Sequence, residues 1–204
     1  MKRIAIFGGA FDPIHVDHVK IAEKVLEWGF ADKIRFVVAP DSRWDKNTKV
    51  TQDNRLDMVK LAIKGKNQME AVKDEGEHRG SLRMMEKITK NDPDNLYLLM
   101  VGADNYEKIP TWKDYTEGGK TNGTELMKKF PLIVCPRKGI PMPNPETHKM
   151  KGYANLFIPP ENEWKKATLT SSTQVRDNLI NNRPTDNLVD PKVMNYIKEN
   201  DLYR

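Results

Sequence analysis

The stretch that decides the fold lies at the N-terminus and reads Arg3-Ile-Ala-Ile-Phe-Gly-Gly-Ala-Phe-Asp-Pro-Ile-His-Val-Asp-His-Val-Lys20. Its apolar residues 4–7 predict a β-strand, which runs directly into Gly8 and Gly9. After a turn at Asp12-Pro13, apolar residues recur at helical spacing. The residues of this apolar helical face are Ile21, Ala22, Val25 and Leu26. The stretch therefore predicts a strand, a glycine-containing loop and a helix.

A loop of this kind is suited to binding an anion. Glycines let backbone N–H groups approach a charged oxygen, and the start of the following helix adds the positive end of its dipole. His15 and His18 are three residues apart, so on a helix that has begun by His15 both imidazoles share one face. They can then donate hydrogen bonds to one phosphate. A bare pair of histidines at this spacing is more often two solvent-facing side chains, so the surrounding residues decide the interpretation.

Those surrounding residues resemble the first signature of the nucleotidyltransferase superfamily of α/β adenylyl- and cytidylyltransferases, G-G-x-F-D-P-x-H-x-G-H. The matching residues are Gly8, Gly9, Phe11, Asp12, Pro13, His15 and His18. Ala10 stands where Thr or Ser is usual, and Asp17 stands where the signature has glycine. The resemblance implies that His15 and His18 stabilise the α-phosphate region of ATP. It also implies an ATP-binding loop formed by Gly8, Gly9, Ala10 and Phe11.

Length and composition limit the choice of protein class. A chain of 204 residues suits a single domain over 1–204, with residues from about 170 to 204 as a helical subdomain. No apolar run is long enough to cross a bilayer, and no secretory segment precedes the first strand. The single Cys135 permits no intramolecular disulfide, which suggests the cytoplasm. We therefore expect no membrane partner, and a homo-oligomer stays open.

The net charge of +5 arises from 34 basic and 29 acidic residues and is weak support for binding phosphorylated molecules. No cluster of basic and aromatic residues accompanies this charge, so we expect no nucleic-acid partner. The expected partners are small phosphorylated molecules.

The rest of the chain alternates between strand-like and helix-like segments. Residues 96–101 form a nearly continuous apolar run, the pattern of a central parallel strand that is covered on both faces. The other strand-like segments are 34–39, 132–135, 155–158 and a short candidate at 69–72. Alternation of this kind predicts an α/β fold, a Rossmann-like doubly wound parallel sheet of about five strands with a small C-terminal helical part.

A second motif lies near the C-terminus, in Thr170-Ser-Ser-Thr-Gln-Val-Arg176. Hydroxyls at a predicted helix start, with an arginine one turn later, suit a phosphate, although the same residues would serve as ordinary helix caps. The segment resembles the second superfamily signature, I-S-S-T-x-x-R, with Thr170 in place of Ile. The resemblance implies that Ser171, Ser172, Thr173 and Arg176 hold the β- and γ-phosphates of ATP.

The middle of the chain narrows the family. The stretch Gly102-Ala-Asp-Asn-Tyr-Glu-Lys-Ile-Pro-Thr-Trp112 resembles the G-A-D-x(5)-L-P-x-W segment of nicotinate or nicotinamide mononucleotide adenylyltransferases. By that resemblance Gly102 and Asp104 belong to the ATP site, with Asp104 on the adenosine ribose, and Trp112 stacks on the pyridine ring. Residues 188–203 are also similar to the ending of the bacterial enzymes.

The implied reaction joins ATP to nicotinate or nicotinamide mononucleotide, releases pyrophosphate and uses Mg²⁺ with the ATP. Lys46 lies in a polar loop where the family often has a lysine, and is expected to neutralise phosphate charge. The T-Y-T-x-x-T segment of the nicotinate-preferring enzymes is missing at 80–85, where Arg83 is a candidate partner for the nicotinate carboxylate. The GAD-to-Trp segment and the tail are bacterial in type, which favours nicotinate.

The replacement of glycine by Asp17 is the main departure from the family pattern. A carboxylate about 5 Å from a phosphate charge would cost roughly 3 kcal/mol at an effective dielectric constant of about 20. Asp17 avoids that cost if it faces solvent or reaches Mg²⁺ through a water, and we predict retained catalysis. Two alternatives stay open: an ATP-binding module that has lost turnover, and an adenylyltransferase for another phosphorylated acceptor. No further ligand joins the histidines at a recognisable spacing, so no protein metal site is expected.

Overall fold

A six-stranded parallel sheet forms the centre of the structure, a computed structural model that describes residues 1–43, 46–74, 80–114, 118–164 and 170–204. The strands are β1 (Arg3–Gly9), β2 (Lys33–Val38), β3 (Ser42–Arg43), β4 (Lys46–Asn47), β5 (Met69–Lys73), β6 (Leu96–Gly102), β7 (Lys113–Asp114), β8 (Lys120–Thr121), β9 (Leu132–Cys135) and β10 (Leu156–Phe157). The order in the main sheet is β5-β2-β1-β6-β9-β10. The short pairs β3-β4 and β7-β8 are antiparallel hairpins outside it.

The strand order creates a crevice beside β1. From β1 the chain moves outward through β2 to β5, then returns to β6 on the other side and moves outward again. Parallel doubly wound sheets bind ligands beyond the carboxyl ends of the strands where this direction switches. In this protein the switch lies between β1, which ends at Gly9, and β6, which ends at Gly102. Two of the segments singled out from the sequence therefore meet at one edge of the sheet.

Helices cover both faces of the sheet. They are α1 (Val16–Glu27), α2 (Gln52–Ala62), α3 (Ser81–Asn91), α4 (Ala103–Tyr106), α5 (Gly123–Lys129), α6 (Pro145–Met150), α7 (Glu161–Trp164), α8 (Ser172–Ile180) and α9 (Pro191–Glu199). The side chains of Thr51, Ser171 and Asp190 accept backbone N–H groups at the starts of α2, α8 and α9. These three polar residues begin their helices because each satisfies a donor that has no partner within the helix.

The sheet separates two hydrophobic cores, and the alternation of side chains along β1 shows how. Ala5 is fully buried in one cluster, whereas Ile4 and Ile6 belong to the other. Successive residues of a strand point to opposite faces, so both faces of β1 must be apolar. The first cluster packs α1, α2 and α9 against the sheet, and the second packs α3 and α5. The α/β class, the parallel sheet and the Rossmann-like winding predicted from the sequence are confirmed.

Two details differ from the prediction. The main sheet has six strands rather than about five, because the short candidate at 69–72 also forms a strand, β5, which pairs with β2 at the edge of the sheet. The sequence pattern assigns no element to the stretch after β9, which contains α6, and the Asn144 side chain caps the start of this helix. Short edge strands and one-turn helices carry too few residues for a clear periodic pattern.

The C-terminal helices pack onto the rest of the chain. The Tyr196 hydroxyl of α9 donates a hydrogen bond of 3.0 Å to Asn54 Oδ1 of α2. Within the described ranges, no helix is both long enough and apolar enough to cross a membrane.

Candidate active site

Two segments far apart in the sequence meet beside the crevice. We call residues 8–18 the first segment and residues 170–176 the second segment. Three hydrogen bonds join them: Arg176 Nη1 to the Asp12 carbonyl (2.6 Å), Ser172 Oγ to the Pro13 carbonyl (2.9 Å) and the Thr170 N–H to Asp17 Oδ2 (3.1 Å). The family resemblance implies that both segments hold one ATP, and the structure brings them into direct contact.

The first segment turns tightly at Phe11, whose φ of +50° lies in the left-handed region. This turn folds the Phe11 ring back over Gly9, so that a Cβ added to Gly9 would lie 2.9 Å from Phe11 Cζ. The Phe11 ring also packs edge-to-face on the His18 imidazole, with 5.1 Å between the ring centroids. Gly9 is therefore required by the packing of the loop as well as by access to its backbone N–H groups.

The two histidines stack on each other at the start of α1. Their ring centroids are 3.6 Å apart, and His18 Nδ1 accepts a hydrogen bond of 3.2 Å from the His15 backbone N–H. Because Nδ1 accepts, the neutral His18 ring carries its proton on Nε2. His15 Nδ1 is buried and has no hydrogen-bond partner within the described residues. The pair thus holds hydrogen-bonding capacity that the fold itself does not use.

Burial keeps both imidazoles neutral at physiological pH. Burial lowers the pKa of His15 to about 4, while the charge of Asp17 opposes that shift and the charge of Arg137 adds to it. Burial also lowers the pKa of His18 well below its ordinary value, helped by His15 and Arg137. Two neutral rings can donate hydrogen bonds to phosphate without changing protonation near pH 7.

We expect the protein to lose stability as the pH falls from about 6.5 to about 4. In that range an unfolded His15 with the ordinary pKa of 6.5 binds a proton that the folded His15, with a pKa of about 4, does not bind. The unfolded state is then favoured by up to about 3 kcal/mol. Urea unfolding at pH 7.5 and 4.5 measures how far the free energy of unfolding falls between these two values, and His15→Asn should make that fall smaller. An equal fall in the variant would contradict the prediction. Above pH 7 the free energy of unfolding should depend on pH in the same way in both proteins.

Further polar groups lie at the ends of β6 and β9. Asp104 Oδ1 is 3.4 Å from Arg137 Nε, and a Cβ on Gly102 would lie 2.3 Å from the same oxygen. Gly102 therefore lets the Asp104 carboxylate fold back over the end of β6. Sequence reasoning missed Arg137, although its place two residues after the buried strand β9 was a usable signal.

A buried arginine, Arg55, donates hydrogen bonds to the first segment and to its neighbours. The Arg55 side chain has 0% exposure. Its guanidinium donates to the carbonyls of Ala10 (2.5 Å), Ala39 (2.7 Å) and Val50 (3.2 Å) and to Asp41 Oδ1 (3.0 Å). It thereby connects the glycine loop with the end of β2 and the polar loop that follows it.

The Asp12 carboxylate is held by two donors from distant parts of the chain. The Tyr203 hydroxyl donates to Oδ1 at 2.9 Å, and the Lys49 N–H donates to Oδ2 at 2.9 Å. Neither partner was predicted, because nothing in the local sequence around Tyr203 points to the N-terminal loop. The C-terminal tail therefore helps to fix the first segment.

The remaining candidate residues lie in four places. Ser171 Oγ caps α8 by accepting the Gln174 N–H at 3.1 Å, and Thr173 Oγ1 accepts from Arg176 Nη2 at 3.2 Å. Gly8 lies near α3, since a Cβ there would be 4.0 Å from Met84 Cε. Arg83 is on α3 and Trp112 packs against the second core, so both lie on the α3 face of the sheet. Lys46 lies in β4, and its side chain is outside the part that the structure describes.

Of the two alternatives left open for Asp17, the structure excludes the one in which it faces solvent. Asp17 is 6% exposed, so it does not face solvent, and its Oδ2 accepts the Thr170 N–H. Among the residues that the structure describes, no group of three or more His, Cys, Asp or Glu side chains is placed to hold a metal ion.

Comparisons with known proteins agree with this fold. The model of the family described as cytidylyltransferase-like matches residues 6–178. A protein of Bacillus subtilis (strain 168) named nicotinate-nucleotide adenylyltransferase is 30% identical over 208 residues, which cover 100% of this chain and 99% of the relative. A solved structure of Plasmodium falciparum nicotinic acid mononucleotide adenylyltransferase complexed with NaAD has a TM-score of 0.78 at 18% identity, covering 100% of this chain and 98% of the other. A second structure of that enzyme, complexed with APC, has a TM-score of 0.75 at 18% identity, with the same coverage.

Proposed function

The chain belongs to the cytidylyltransferase-like family, and from that premise we propose that it is a nicotinate-nucleotide adenylyltransferase. The reaction joins ATP to nicotinate mononucleotide and yields the deamido form of NAD and pyrophosphate. The observation that supports it best is the contact between the first and second segments, because a triphosphate needs donors at both of its ends. The name of the Bacillus subtilis relative agrees with this activity.

The proposed step is an in-line displacement at phosphorus. An oxygen of the mononucleotide 5′-phosphate attacks the α-phosphorus of ATP and forms the new P–O bond. The bond from the α-phosphorus to the oxygen that bridges to the β-phosphate breaks, and that oxygen leaves with its electron pair as part of pyrophosphate. Both reacting groups are anionic already, so the protein mainly positions them and neutralises the charge that develops.

The described residues are suited to these tasks. The stacked His15 and His18 stand at the start of α1 with unused hydrogen-bonding capacity, and we assign them to the α-phosphate region. The start of α8 provides Ser171, Ser172 and Thr173 together with the positive end of the helix dipole. The guanidinium of Arg176 is assigned to the leaving pyrophosphate, where a fixed cation stabilises the developing charge.

We propose that Mg²⁺ enters with ATP. The carboxylates of Asp12 and Asp17 already accept hydrogen bonds from Tyr203, Lys49 and Thr170, so they are poorly placed to act as metal ligands. The donor set of this site does not fit a protein-held metal, and the phosphate oxygens of ATP are the fitting ligands. Bound there, Mg²⁺ would neutralise part of the phosphate charge.

The experiment that tests the function is a panel of acceptors. We expect pyrophosphate release with ATP, Mg²⁺ and nicotinate mononucleotide, and slower release with nicotinamide mononucleotide. ATP binding without release for either acceptor would favour a binding module that has lost turnover. Release only with phosphopantetheine or another phosphorylated alcohol would favour a different transferase.

Arg83 is the proposed partner of the nicotinate carboxylate. Replacing Arg83 by Ala is expected to raise KM for nicotinate mononucleotide about tenfold, because one charge-assisted hydrogen bond is lost, and to change KM for the nicotinamide form little. Lys90→Ala is the matched control, since Lys90 is exposed on the same helix. Equal changes in KM for both acceptors would argue against this assignment.

The proposed partners are ATP and a pyridine mononucleotide, and the proposed location is the cytoplasm. The single Cys135 is buried, and burial raises the pKa of its thiol to about 12, which disfavours the reactive thiolate.

A further inference from the structure

Asp17 occupies the position of the first signature where the family pattern has its third glycine, whereas Gly8 and Gly9 keep the first two. A glycine has no side chain with which to accept a hydrogen bond. In this chain the Asp17 carboxylate is buried, at 7% side-chain exposure, and Oδ2 lies 3.1 Å from the Thr170 backbone nitrogen. The two residues are 153 positions apart in sequence. Asp17 therefore adds a connection between the first and second segments that a glycine cannot make.

The surroundings of Asp17 balance its charge. It lies in the first turn of α1, where the helix dipole favours a negative group, and Lys20 Nζ is 4.0 Å from Oδ1. The Thr170 N–H donates to the second oxygen. With these partners the buried carboxylate is already hydrogen-bonded and paired, and it does not need to turn toward the phosphates of a nucleotide.

The connection fixes the residue that directly precedes the capping residue of α8. Thr170 is followed by Ser171, which caps the helix, and by Ser172, whose hydroxyl donates to the Pro13 carbonyl. Of the three hydrogen bonds that join the segments, the Asp17 bond alone uses a side chain of the first segment. The only other side chain of the first segment with a charge contact to the second, among the described residues, is Asp12, whose Oδ2 is 3.8 Å from Arg176 Nη1. Its loss would let the start of α8 move relative to α1.

We propose that Asp17 is a positioning residue that locks the start of α8 onto the first helix and so sets the geometry in which ATP phosphates are held. The expected effect of Asp17 on enzyme kinetics rests on the proposed function. Its expected effect on the position of α8 rests only on the contact with Thr170. It makes the replacement of glycine a gain of preorganisation in this chain rather than a loss of the site.

Three variants test this role. Asp17→Asn keeps an oxygen that can accept the Thr170 N–H but removes the charge, whereas Asp17→Ala removes both, and Asp17→Gly restores the residue of the family pattern. We expect Asp17→Ala and Asp17→Gly to weaken ATP binding about tenfold by calorimetry, and Asp17→Asn to stay within about threefold of the wild type. In the pyrophosphate assay the loss should fall on KM for ATP, with kcat little changed.

Hydrogen exchange at the Thr170 amide gives a readout that general destabilisation would not mimic. This amide should be protected in the wild type and in Asp17→Asn and should exchange quickly in Asp17→Ala, while the amides of the central strand β6 stay protected in all three. If Asp17→Ala does not fold, Asp17→Asn decides alone, because retained protection and ATP affinity support the role and their loss overturns it.

The role is overturned if Asp17→Ala keeps both the Thr170 protection and the ATP affinity. It is also overturned if Asp17→Asn is as weak as Asp17→Ala, or if Asp17→Gly binds ATP more tightly than the wild type. Neither calorimetry with ATP nor hydrogen exchange involves the acceptor. A protein that fails to use nicotinate mononucleotide would therefore refute the proposed function and still leave these two readouts able to judge Asp17.

Discussion

Replacement of Arg176 by Ala is expected to lower kcat/KM for ATP about a thousandfold, the range seen when a cation that stabilises a phosphoryl-transfer transition state is removed. Arg176 Nη1 donates to the Asp12 carbonyl at 2.6 Å, and Nη2 donates to Thr173 Oγ1 at 3.2 Å. The guanidinium is thus held at the contact between the two segments. Pyrophosphate release at saturating nicotinate mononucleotide, with ATP varied, measures the effect.

Two further variants separate chemistry from structure. Arg176→Lys keeps the charge but loses the planar fork, so it should recover only part of the activity. Arg183→Ala removes the same charge at an exposed position just beyond α8 and should stay within about twofold of the wild type. A loss of less than tenfold in Arg176→Ala would contradict the assignment of Arg176 to the leaving pyrophosphate.

Local spacing explains why much of the fold and of the candidate site was predictable. The helix start at Ser171 is specified by a few neighbouring residues, and the structure has it where the sequence placed it. The glycines expected in the loop after the first strand, Gly8 and Gly9, are instead the last two residues of β1. The buried run of β6 identified a central strand because both of its faces are apolar. Since parallel strands end at one edge of the sheet, the convergence of the ends of β1 and β6 followed from topology.

The supporting contacts were not predictable for a different physical reason. The Asp17 side chain accepts the backbone N–H of Thr170, and the Arg55 side chain donates to three backbone carbonyls. Every residue has a backbone carbonyl, and every residue except proline has a backbone N–H. A side-chain pattern therefore gives no sign of which backbone group will be the partner. The Tyr203 hydroxyl reaches Asp12 across nearly the whole chain, and only the packed tail brings it there.

Replacement of Arg55 by Met should cost about 3–5 kcal/mol of the free energy of unfolding, a large share of the stability of a domain of this size. Methionine fills part of the volume of the arginine stem but leaves three carbonyls without their donor, that of Ala39 in a buried place and those of Ala10 and Val50 in part-buried ones. Lys60→Met is the matched control, because Lys60 is exposed on the same helix and its Nζ lies 3.9 Å from Asp57 Oδ1. Its replacement should lower the free energy of unfolding by less than about 1 kcal/mol. Urea unfolding at pH 7.5 compares the two, and equal midpoints would show that Arg55 is not the support of the glycine loop. Because the Ala10 carbonyl belongs to the loop assigned to ATP, any folded Arg55→Met should also bind ATP more weakly than Lys60→Met does.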